Sequence, residues 1–129
     1  MKRKILIIDD EKGIKDLFRF LLEPLNYEVF TADDGVEGVE MVKQQLFDLV
    51  FLDVHMPRMR GPEALRHIKE IRPEQGVVVF SSSSDPNFEF ESQAVKLGAF
   101  TCLYKPADIN EILDVIEKTT STRGREAFL

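Results

Sequence analysis

The apolar positions of this chain of 129 residues follow two alternating rhythms. Unbroken apolar runs of four recur at Ile5-Leu6-Ile7-Ile8, Leu49-Val50-Phe51-Leu52 and Val77-Val78-Val79-Phe80. Such runs, rich in β-branched and aromatic residues, suit strands buried on both faces of a parallel sheet. Tyr27 to Thr31 alternates and reads as the second strand, and Phe100 to Tyr104 as the fifth. Between the strands the period changes to that of a helix. Ile14, Leu17, Phe18, Leu21 and Leu22 mark one inward face, and Val36, Val39, Val42 and Leu46 the next. Ala64, Leu65, Ile68 and Ile71 mark a third, Phe90, Ala94 and Leu97 a fourth, and Ile109, Ile112, Leu113 and Ile116 a last. The punctuation agrees. Pro24 stops the first helix, Asp34 caps the second, and Pro62 opens the third. Gly98 closes the fourth as a left-handed cap, and Asp108 caps the last. Five strands alternating with five helices give an α/β fold, with right-handed crossovers covering a parallel sheet on both faces.

Composition adds bounds. The chain is one domain, residues 1–121, followed by a polar tail or start of a linker at 122–129. With 43% hydrophobic residues it builds a core without a disulfide or metal staple. A net charge of −6 argues against non-specific binding to nucleic acid or to a membrane surface. One cysteine, Cys102, excludes an intrachain disulfide and a multi-cysteine zinc site. The apolar run behind the basic N-terminus is too short for a signal peptide or a membrane span. The expectation is a cytoplasmic protein.

In open parallel sheets the loops at the carboxyl ends of the strands hold the ligand. Here those ends carry Asp9-Asp10-Glu11, then Asp53, then Ser81-Ser82-Ser83-Ser84, then Lys105. Asp10 as a helix cap explains one acid, and a turn-forming Asp53 another. Three consecutive acids at the tip of a buried strand repel one another unless a cation lies among them. A hard divalent ion such as magnesium takes a few carboxylates and keeps several waters. Asp10 and Asp53 can supply those carboxylates, with Asp9 acting directly or through water. A lysine adds a point charge, a hydroxyl adds a neutral donor, and an Asp carboxylate is a known nucleophile toward phosphorus. This set suits metal-assisted phosphoryl transfer.

Placed in order at the strand ends, these motifs resemble the receiver domain of two-component response regulators. The motifs are Ile7-Ile8-Asp9-Asp10-Glu11, Leu52-Asp53-Val54-His55-Met56-Pro57, Met59-Arg60-Gly61, the strand before Ser81, Gly98-Ala99 and Lys105-Pro106. The resemblance covers about residues 3–120. It implies a flavodoxin-like, doubly wound, five-stranded parallel sheet with strand order 2-1-3-4-5. It also implies that Asp53 is phosphorylated, and that Asp10, Asp53 and the backbone carbonyl of His55 bind magnesium, with Asp9 assisting. Ser81 takes the Ser/Thr switch position. The loop after it is about two residues longer than is usual, which leaves Ser83 as the alternative. Lys105 pairs with the carboxylate and later with the phosphoryl group. Cys102 stands where an aromatic or histidine switch residue is usual, and Arg60 where an acid is frequent. The implied partners are a histidine kinase or phosphotransfer protein, and an output protein or fused effector domain. The implied state is a monomer or a phosphorylation-dependent homodimer.

Other classes fit less well. Phosphatases with an aspartyl intermediate need a nucleophile and an acid two residues apart on the first strand, whereas Asp9 and Asp10 are adjacent. A flavodoxin-like nucleotide binder presents amides to a phosphate at its first loop, where this chain has Asp-Asp-Glu and no G-x-G-x-x-G. A phosphorylation-independent interaction domain has no need of the complete acid, hydroxyl and lysine set. His55 and His67 share no zinc-like spacing, and Cys102 reads first as a small buried hydrophobe.

Overall fold

The three unbroken apolar runs become the middle of the sheet. In the computed structural model, β1 (Arg3–Ile8), β3 (Leu49–Asp53) and β4 (Val77–Ser82) are its central strands. β2 (Tyr27–Ala32) and β5 (Thr101–Lys105) lie at its edges, and the order is β2-β1-β3-β4-β5, all parallel. The helices are α1 (Lys12–Leu22), α2 (Gly35–Gln44), α3 (Gly61–Ile71), α4, described at 94–96, and α5 (Ile109–Ala127). The structure describes residues 2–54, 61–82, 94–105 and 108–127, with the backbone alone at 61, 81, 82, 105 and 120–127. The flavodoxin-like order expected from the sequence is therefore the observed one. Among the described residues no helix is long and apolar enough to cross a membrane.

Strand alternation sends side chains to two cores. Leu6, Ile8, Val50, Leu52 and Val79 pack with Val39 and Val42 of α2 and with Ala64, Leu65 and Ile68 of α3. Ile5, Ile7, Phe51, Val78 and Phe80 pack on the other face with Phe18 of α1 and Ile112 and Ile116 of α5. Phe18, Phe51 and Phe80 form an aromatic triangle with ring centroids 5.1, 5.4 and 5.4 Å apart. The order in which strands are added reverses between β1 and β3, so the crevice of this parallel sheet opens at their carboxyl ends.

Several sequence expectations need correction. Leu17, expected inside, is 42% exposed, and Phe20 beside it is 76% exposed. The apolar surface of α1 is wider than the stripe the sheet covers. Val36, Ile71 and Leu97 are also exposed. On α2 the inward place next to Val39 is held by Gly38, where a Cβ would stand 2.8 Å from Ile8 Cγ1 and closer still to Cδ1. That missing side chain lets α2 lie close on β1. The backbone is helical through Ala127, past residue 121, where composition suggests a tail. The caps are as expected: Asp34 accepts from Glu37 N at 2.8 Å and Asp108 from Glu111 N at 2.9 Å. Gly98 has φ +105°, with the Lys69 stem against it. Burial pushes the Lys69 ammonium below its ordinary pKa, an effect that nearby Glu74 opposes.

The end of the sheet opposite the crevice is stitched by polar groups. Gln75, fully buried, accepts from Phe47 N at 2.9 Å and donates to Phe47 O at 3.0 Å and Gly76 O at 2.9 Å. Only the fold shows this residue to be a clasp. Asp48 Oδ2 accepts from Lys4 N at 2.7 Å, and Arg72 Nε donates to Val42 O at 2.6 Å, at the end of α2. Two substitutions test this packing by urea denaturation. Gly38→Ala overpacks Ile8 and is expected to lower stability by about 1–3 kcal/mol. Gln75→Leu removes the partner of two buried backbone groups and is expected to cost about 1–3 kcal/mol.

Candidate functional site

β1 ends at Ile8 and β3 at Asp53, and their ladder pairs Ile8 with Leu52. The residues next along each strand, Asp9 and Asp53, are thus delivered side by side. Both are buried, at 1% and 3% exposure, whereas Asp10 is exposed. One carboxylate oxygen from each of Asp9, Asp10 and Asp53 lies within 4.8 Å of the others. Burying ionised carboxylates costs several kcal/mol each unless opposite charge or hydrogen bonds offset it. Part of the offset for Asp9 is local, because Glu11 N donates to Asp9 Oδ1 at 2.9 Å. Helix α1 begins after Glu11, whose side chain makes no capping hydrogen bond. Asp10 is therefore not the cap of α1, and its carboxylate faces the cluster instead.

The other strand ends arrive at the same edge. Asp53 is in register with Phe80, and Val54 N donates to Phe80 O at 3.0 Å, so the β3–β4 ladder continues past the acid. Ser81 follows, in register with Tyr104, and Ser82 is in register with Lys105. The backbone thus brings Asp9, Asp53, Ser81 and Lys105 to one rim, on four neighbouring strands. Cys102 is buried on β5, in register with Val79 and packed in the α2–α3 core, as a small hydrophobe would be. His55 and Ser83 lie outside the described residues, as do Pro57 and Arg60.

The donor set fits a hard divalent ion. Oxygens sharing one magnesium at its usual bond length sit roughly 2.9–4.1 Å apart, from adjacent to opposite positions. Carboxylate oxygens within 4.8 Å of one another need to close by up to about 2 Å to take adjacent positions, or to use a bridging water. Among the described residues the cluster holds no nitrogen or sulfur donor that would favour zinc. Asp9, Asp10 and Asp53 are the residues that would hold such an ion. The sequence signal for all three was the acid at a strand end.

Comparison with known proteins decides the family. Residues 5–117 match the response regulator receiver domain. The chain belongs to that family. It is similar to the sporulation initiation phosphotransferase F of Bacillus subtilis, at 36% identity over 92% of this chain and 94% of that protein. It is also similar to the chemotaxis protein CheY of the same organism, at 31% identity over 92% and 98%. The transcriptional regulatory protein ZraR of Escherichia coli is 34% identical, but there the chain spans only 25% of the relative's length. Among solved structures, a response regulator receiver domain protein from Clostridium thermocellum superposes with a TM-score of 0.87 at 33% identity, covering 95% of this chain and 97% of that one. A CheY-like receiver from Methanospirillum hungatei gives 0.91 at 26%, covering 98% and 99%.

Receiver domains bind magnesium at an acidic site, and this receiver has its acidic cluster at the matching edge. The cluster's self-repulsion has a measurable consequence. Without divalent ions, Asp10→Asn is expected to stabilise the fold by about 1 kcal/mol, the scale of two close charges in a watery setting. Millimolar magnesium is expected to raise the melting temperature of the wild type and to leave that of Asp10→Asn nearly unchanged. Differential scanning calorimetry with and without magnesium checks both.

Proposed function

We propose that this receiver accepts a phosphoryl group on Asp53 from a histidine kinase or a phosphotransfer protein. The observation that carries the reading is the meeting of Asp9, Asp10 and Asp53 at the reversal point of the sheet. An Asp53 carboxylate oxygen attacks phosphorus as the P–N bond of the donor's phosphohistidine breaks. The electron pair of that bond stays with the imidazole, which takes up a proton. A divalent ion, when bound, offsets charge on the phosphoryl oxygens. Asp10 and Asp53 would hold that ion with the backbone carbonyl of His55, and Asp9 would assist. Lys105 supplies a fixed positive charge toward the transferred group, and the Ser81 hydroxyl, or Ser83, a neutral donor. Attack of water on the aspartyl phosphate later restores Asp53 and releases inorganic phosphate. The domain is thus a phospho-acceptor that catalyses its own phosphorylation and dephosphorylation, and not an enzyme acting on a separate substrate.

The added charge is the signal. It draws the hydroxyl and Lys105 inward and shifts a two-state equilibrium of the surface around α4, β5 and α5. The output is a separate protein or a fused effector domain, with phosphorylation-dependent pairing of two receivers as one route. Relatives named for phosphotransfer, chemotaxis and transcriptional regulation support this range of outputs without selecting one. Leu17 and Phe20, exposed on the helix that starts beside Asp10, are suited to meet an apolar helix of the donor. Cys102 in place of a larger switch side chain removes aromatic rotamer coupling at that position of β5, so the hydroxyl and Lys105 carry the change. The setting is the cytoplasm.

Incubation with magnesium and a small phosphodonor, followed by intact-mass spectrometry, is expected to show one phosphoryl adduct on wild type. Asp53→Asn, or chelation of the metal, is expected to abolish it. An adduct of undiminished yield on Asp53→Asn overturns the assignment.

A further inference from the structure

A second charged device lies beside the acid cluster. Asp9 N donates to Ala32 O at 3.1 Å, one residue beyond the Ile8–Ala32 register of β1 and β2. Asp33, the next residue after Ala32, is therefore carried along the same edge as Asp9 and Asp10. Its backbone N–H donates to Glu37 Oε2 at 3.2 Å, and its carboxylate forms an ion pair with Lys15 of α1. Lys15 lies one helical turn beyond Glu11, and Lys15 N donates to Glu11 O at 3.3 Å. The lysine side chain is only 12% exposed, although its partner is 73% exposed. Arg19 continues the seam, with its guanidinium donating to Thr31 Oγ1 at 3.1 Å. An enclosed lysine aimed at an exposed acid is held in place by its surroundings, unlike a loose surface pair.

We propose that Asp33 is an outer carboxylate of the cation site and that Lys15 withholds it, so that this pair sets the receiver's divalent-cation affinity. The inference rests on reading Asp9, Asp10 and Asp53 as that site. A magnesium ion keeps several of its waters, and a nearby carboxylate attracts the hydrated ion without touching it. As a pair, Lys15 and Asp33 contribute almost no net charge. Removing one partner leaves a single uncompensated charge at the rim. As a general scale, one unit charge on the order of 9 Å from a divalent ion in a watery medium changes its affinity about fourfold.

The test measures manganese binding to the full chain by the electron paramagnetic resonance of free Mn2+, and magnesium binding by calorimetry. Lys15→Met is expected to bind about fourfold more tightly than wild type, and Asp33→Asn about fourfold more weakly. The double variant is expected to return close to wild type, because the whole pair is gone. Raising the salt concentration shrinks both single-variant shifts, as screening requires. Circular dichroism confirms each fold, with Lys15→Gln and Asp33→Ser replacing any variant that does not fold. Single variants that leave affinity unchanged, or shift it in the same direction, overturn the proposal. Wild type that binds no manganese overturns this proposal and the cation-site reading together. Wild type that binds, with binding lost in Asp10→Asn and the pair variants silent, overturns the role of Lys15 alone.

Discussion

Mutual repulsion among the carboxylates of Asp9, Asp10 and Asp53 is the constraint around which this molecule is built. Nothing in the chemistry of three acids brings them together; the β1–β3 ladder does. Once Ile5 to Ile8 pairs with Leu49 to Leu52, the next residues of both strands have nowhere else to go. The clamp is apolar. Burying a large aliphatic or aromatic side chain contributes about 1.5–3 kcal/mol, and β1 and β3 together bury eight of them. The apolar ladder fixes both strand ends, so the sheet holds together acids that would disperse in a free peptide.

The two ends of the sheet are therefore specialised in opposite ways. At the end away from the crevice, polar groups are satisfied within the protein. Gln75 closes on Phe47, Asp48 on Lys4, and Arg72 on the last carbonyls of α2. At the crevice end, acids are gathered where a cation can answer them. Phe51 lies two residues before Asp53, and Phe80 immediately before Ser81, so the strand ends that carry Asp53 and Ser81 share one aromatic support in the triangle of Phe18, Phe51 and Phe80.

Charge at the crevice is graded and not simply negative. Asp9 and Asp53 are enclosed, Asp10 meets solvent, and Asp33 is held in a neutral pair by Lys15. The inner acids follow the β1 and β3 strand ends, while the outer pair lies on the α1–β2 seam. Such an arrangement lets the chemistry stay constant while the cation concentration at which it operates is adjusted from outside.

Much of this was legible in the order of residues. Period and punctuation specify strands, helices and caps because burial on two faces, one face or none leaves a distinct local pattern; Asp34, Gly98 and Asp108 act as that pattern requires. The acid, hydroxyl and lysine positions were legible for the same reason, since a functional group after a buried strand lies at the rim. What remained hidden depended on neighbours distant in sequence. The inward roles expected of Leu17 and Val36 failed because periodicity says which residues are apolar, and not how wide a stripe the sheet covers. Gly38 and Gln75 carry no local signal; Ile8 and Phe47, some thirty residues earlier in the chain, give them their purpose. The pairing of Lys15 with Asp33 is of the same kind, a contact that exists only once α1 lies along the end of β2. Side-chain type and spacing determine which elements form and which chemistry is available. Packing across the sheet decides which groups meet, because that depends on distances no local pattern contains.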